Sequence, residues 1–109
     1  MERNPDHRAF WALADDLIAE GKVEEGTMMG HHCLRSTQGG GFVATVERSS
    51  GDLVAKLPRA RVDELIESGI GAPFAPDGKV FREWVAIPSQ HLDRWEEFLT
   101  QSIDFVSTP

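Results

Sequence analysis

Apolar side chains recur at helical spacing near both ends of the chain and alternate in its middle. After Asn4-Pro5, a capping residue followed by a proline at the first helical position, Phe10, Leu13, Ala14, Leu17 and Ile18 form one stripe. Trp11 broadens the stripe, Gly21 sits where a C-terminal cap belongs, and Asp15, Asp16 and Glu20 fall on the outer face. The pattern predicts an amphipathic helix. Between Thr27 and Leu57 the period shortens to two. Thr27–Arg35, Phe42–Arg48 and Leu53–Leu57 read as strands, separated by the turn-rich stretches Ser36–Gly41 and Ser49–Asp52. Phe42, Ala44 and Val46 oppose Val43, Thr45 and Glu47, and Leu53, Ala55 and Leu57 oppose Val54 and Lys56.

Pro58 opens PRARVDELIESG, where Val62, Leu65 and Ile66 predict a short helix ending at Gly69. GIGAPFAPDGK, residues 69–79, is dense in glycine and proline and reads as a loop. Val80–Ile87 reads as a fourth strand containing Trp84. Beyond Pro88-Ser89, a last helical stripe carries Leu92, Trp95, Phe98, Leu99, Ile103 and Val106. The expected fold class is α+β, an antiparallel β-sheet with helices packed on one face, in the order α-β-β-β-α-β-α. At 109 residues the chain is expected to form a single domain over 1–109.

Charge changes this picture locally. The formal net charge is −7, which opposes non-specific adhesion to nucleic acid. Yet residues 26–61 carry five basic and two acidic side chains, a basic island between acidic flanks. With one cysteine no internal disulfide can form, so a cytoplasmic protein is the default expectation. No apolar run approaches a membrane span, and the charged N-terminus does not read as a secretory leader.

Candidate chemistry begins with His31, His32 and Cys33. On a strand, His31 and Cys33 share one face and His32 points to the other, so at most two could meet one metal. They are weak metal candidates, and the expected metal complement is none. Cys33 has no base suitably placed to activate it, and no strained G-x-S-x-G turn is present. Gly39-Gly40-Gly41 leads into a strand rather than a helix, so it is a hairpin and not a phosphate loop. Nothing points to an enzyme, and no cofactor is implied. What stands out is a basic and aromatic set: Lys56, Arg59 and Arg61 at a strand-to-helix junction, with Arg82 and Trp84 two apart on the fourth strand. A cation could lie near an aromatic ring there.

Met28-Met29-Gly30, Lys56-Leu57-Pro58, Gly71-Ala72-Pro73-Phe74 and Arg82-Glu83-Trp84-Val85 together carry a family likeness. Across roughly residues 9–106 the chain resembles the TfoX N-terminal domain-like proteins and the related MmcQ/YjbR-like small domains. Met28-Met29-Gly30 stands where that group tends to have Met-Phe-Gly. The resemblance implies a double-wing α+β fold and a bacterial-type regulator, with DNA binding inferred for such domains from fold analogy. Two functions are therefore expected. The first is a non-catalytic binding module with a regulatory role, engaging a protein or nucleic acid through the sheet and the Lys56–Arg61 junction. The alternative is a small-molecule or anion binder using Lys56, Arg82 and Trp84 at the sheet. Either fits a monomer or a homodimer without a membrane partner.

Overall fold

The computed structural model describes residues 3–28 and 30–108. Asn4 Oδ1 accepts the Asp6 backbone N–H at 2.9 Å and opens a 3-10 turn, Pro5–His7, which runs into helix α1, Arg8–Ala19. Phe10, Trp11, Ala14 and Leu17 turn inward. The Gly21 and Lys22 N–H groups donate to the Ile18 and Leu17 carbonyls and close the helix.

Two strands lie where the sequence pattern was weakest. The first β run is a hairpin of strands β1, Val23–Met28, and β2, His31–Ser36. The chain reverses beside Gly30, whose φ of 81° favours glycine; Met29, the middle of the Met28-Met29-Gly30 motif, lies outside the described residues. Strand β1 is a sheet edge and buries only Val23, so VEEGTM carries no alternating signal. Strands β3, Phe42–Val46, and β4, Leu53–Lys56, follow, then helix α2, Arg59–Glu67. The stretch read as a loop holds a three-residue strand β5, Ala72–Phe74, paired with β6, Phe81–Ile87. Pro73 argued against a strand there, but β5 is the opposite edge, where a missing N–H leaves no ladder bond broken.

The result is a six-stranded antiparallel sheet in the order β1-β2-β3-β4-β6-β5, an α+β fold as expected. A 3-10 segment, Ser89–Arg94, precedes helix α3, Trp95–Ser107, and is broken at His91. Leu92 falls in that segment and is 40% exposed, so the stripe read from Leu92 really begins at Trp95. A 3-10 turn holds three residues, and a side chain there leaves the line set by a 3.6-residue period.

Strand alternation assigns the faces. Ala44, Val46, Leu53, Ala55, Val85 and Ile87 lie on one face by register. They form a single apolar core with Phe10, Trp11, Leu17, Val62, Leu65, Trp95, Phe98 and Leu99 from the three helices. A bulge where Leu34 and Arg35 face Ala44 and Phe42 leaves Val43 as the extra residue and brings it into this core. The Ser102 hydroxyl of α3 donates to the Val43 carbonyl at 2.7 Å in a fully buried position. Gly41 makes the approach possible, because a Cβ there would stand 2.5 Å from Val106 Cγ1.

Phe98 is fully buried and Leu92 is not. Urea unfolding of Phe98→Ala should show a loss of about 3–5 kcal/mol, the usual cost of an aromatic deletion in a core. Leu92→Ala should lose less than about 1 kcal/mol, as an exposed side chain does. Equal losses would contradict the kinked start of α3.

Candidate functional site

The face of the sheet away from the helices carries Cys33, Thr45 and Val54, cross-strand neighbours in adjacent strands. Cys33 and Val54 are fully buried although neither belongs to the helix-covered core. Side chains of the sheet itself and of the β5–β6 hairpin cover them. Over Thr45 and Val54 lies a groove of about 310 Å³. Met28 and His31 form one wall, and Phe74, Phe81 and Trp84 the other. Thr45 offers the groove no free hydroxyl, because its Oγ1 donates to the His32 carbonyl at 2.5 Å. The floor is therefore apolar in effect.

The aromatic wall is built by pairing. Phe74 and Phe81 are register partners across the β5–β6 bulge, with ring centroids 5.9 Å apart. Phe74 also lies 6.4 Å from Trp84, the rings inclined at 52°. Inclined aromatic contacts of this kind hold a wall without closing it. Lys56 is the direct cross-strand partner of Trp84, and its Nζ stands 5.9 Å from the Trp84 ring centroid. The cation beside Trp84 thus comes from the neighbouring strand. Among the described residues no ion pair engages Lys56.

The remaining predicted cations part company. Arg82 shares the parity of Trp84 on β6 and is exposed. Arg59 is exposed at the first position of α2. Arg61 belongs to the helix layer. Its Nε donates to Gln101 Oε1 at 3.1 Å, its guanidinium lies 3.6 Å from Glu97, and it sits 5.8 Å from the Phe98 ring. The structure brings Lys56 and Trp84 together and assigns Arg61 to the α2–α3 contact.

His31 and Cys33 share a face, as alternation requires, while His32 lies on the other, 3.6 Å from Glu25 and edge-on to Trp11 at 5.4 Å. His31 lines the groove. Cys33 does not; the Arg35 stem crosses that part of the sheet, 2.6 Å from where a Gly26 Cβ would stand, with Cys33 Sγ 3.7 Å from the same point. Burial pushes the Cys33 thiol above its ordinary pKa, with the Arg35 charge opposing the shift. Among the described residues no three His, Cys, Asp or Glu side chains are grouped to hold a metal ion.

Sequence reasoning placed Val54 and Lys56 on one face but attached no significance to Val54. It named Met28 and Phe74 only as carriers of the family likeness and assigned neither them nor Phe81 to a site. Phe74 was hidden in a Gly/Pro-rich stretch, and Met28 belongs to a strand with no alternating pattern. The available signal was Val54, an apolar residue on the strand face opposite the core.

No family model, curated protein or solved structure matches the chain. Among the described residues no helix is long and apolar enough to cross a membrane.

A buried, high-pKa thiol should resist modification. In native protein, Cys33 should react with a water-soluble disulfide reagent on the order of 100-fold more slowly than in urea-unfolded protein, since reaction requires local opening. Comparable rates would show that the thiol is open to solvent.

Proposed function

We propose that this chain is a non-catalytic binding module that takes a small molecule with a flat apolar body in the groove on the open sheet face. One observation carries the reading: helices bury one face of the sheet, while the other holds an apolar concavity walled by three aromatic rings. Its volume, about 310 Å³, falls at the lower end of small-ligand sites. Val54, fully buried, and Thr45, nearly so, lie beneath the groove, and the Thr45 hydroxyl is already engaged, so an apolar body there strands no polar group. Trp84 and Phe74 supply ring surface for stacking. Lys56 stands at the Trp84 ring, at the margin of the groove. The basic junction does not extend this surface, because Arg61 is engaged by Gln101 and Glu97 in the helix layer.

A second reading rests on a separate observation. Phe81 and Val80, 38% and 49% exposed, continue the aromatic wall outward on the β5–β6 hairpin, with Arg82 beside them. Aromatic rings and cations on an open sheet are what single-stranded nucleic acid stacks on. The likeness to TfoX N-terminal and YjbR-like domains supports a regulatory role of this kind, with a nucleic acid or a protein as partner. The acidic balance of the chain favours the small-ligand reading over it.

Amide shift mapping with 3-phenylpropan-1-ol tests the first reading. The resonances that move should be those of Thr45, Val54, Phe74 and the Trp84 indole, and Trp84→Ala should weaken binding about tenfold, the worth of one good aromatic contact. Shifts centred on the helices would refute it. For the second reading, anisotropy of a labelled oligonucleotide at 50 and 200 mM salt should show affinity falling steeply with salt. A flat or absent response would leave the small-ligand reading alone.

A further inference from the structure

The groove is apolar along its floor but unequal at its rim. Arg48 and His31 both line it at the end beyond Thr45. Neither is held by a carboxylate among the described residues, in a chain with 18 acidic and 11 basic side chains. The Arg48 backbone is nonetheless fixed, because buried His7 donates from Nε2 to its carbonyl at 3.3 Å. The guanidinium is carried by an anchored backbone and is exposed.

Two acids also line the groove, and one of them, Glu47, has another engagement. Glu47 Oε1 accepts the Ser49 hydroxyl at 3.1 Å, within the β3–β4 turn. Asp77 is exposed in the β5–β6 turn, which the Gly78 N–H closes on the Ala75 carbonyl at 3.2 Å. The net charge of −7 is spread over the whole chain, and salt screens it beyond about 10 Å. A guanidinium at contact distance outweighs that distant field, and its fork matches a carboxylate bidentately.

Resting on the groove as a small-ligand site, we infer that its ligand is a monocarboxylate with a flat apolar tail, the tail stacked toward Trp84 and Phe74 over Val54 and the carboxylate received by Arg48 beside His31. Lys56 lies at the aromatic end and does not receive the carboxylate.

Three probes with the same phenylpropyl body separate the possibilities: 3-phenylpropionate, 3-phenylpropan-1-ol and 3-phenylpropylamine, titrated at pH 7 and low salt by amide shift mapping. The acid should bind about tenfold more tightly than the alcohol, and the amine most weakly, as one charge-assisted contact requires. Arg48→Gln, an exposed substitution that leaves the His7 contact to the backbone intact, should bring the acid level with the alcohol. Lys56→Gln should preserve the difference. Binding of all three with equal affinity, or the amine most tightly, would overturn the carboxylate assignment and leave the groove standing. Loss of the acid's advantage in Lys56→Gln but not in Arg48→Gln would overturn the orientation. Failure of all three probes to bind would remove both this inference and the groove reading beneath it.

Discussion

The seating of α3 on the middle of the sheet governs the rest of the molecule. Phe98, Leu99 and Ile103 pack into the core with β3 and β4 residues, and Ser102 ties the helix to the bulge at Val43. Gly41 allows the approach because it has no side chain to meet Val106. Once α3, with α1 and α2, occupies one face, alternation leaves every second side chain on the other. What those residues become depends on how the sheet edges and the β5–β6 hairpin fold around them.

On that second face the physics differs from the core. Val54 and Cys33 are buried without a helical layer above them, so their cover is a set of side chains: Arg35 over Cys33, and the aromatic and methionine walls beside Val54. A covered core excludes everything by close packing. A surface walled by rings inclined to one another leaves a concavity, and the cation–π contact of Lys56 with Trp84 places a charge at its margin. The same sheet therefore supplies stability on one side and a receptive surface on the other.

Much of the fold was legible in order. The Phe10–Ile18 stripe, the alternation over Phe42–Leu57 and the short α2 pattern each correspond to an observed element. The two missed strands share a cause. Strands β1 and β5 are sheet edges, with one neighbour each, and edges are neither alternating nor free of proline. Leu92 lies in a 3-10 segment whose period differs from that of the helix it precedes. Of the candidate site, the Lys56 and Trp84 residue types were visible in the sequence. Their partnership was not, because the two are joined by register across 28 positions of chain.

Local periodicity determined the helices, the interior strands, the single apolar core and the split of His31 and His32 onto opposite faces. Those properties follow from 3.6- and 2-residue repeats, which every chain segment carries by itself. Only the tertiary structure decided that Arg61 of α2 engages α3, that the Arg35 stem passes close to Cys33, and that Phe74, Phe81 and Trp84 converge beside Val54. Each of these depends on strand register and on which layer covers which face, and neither is written in the spacing of residues along one segment.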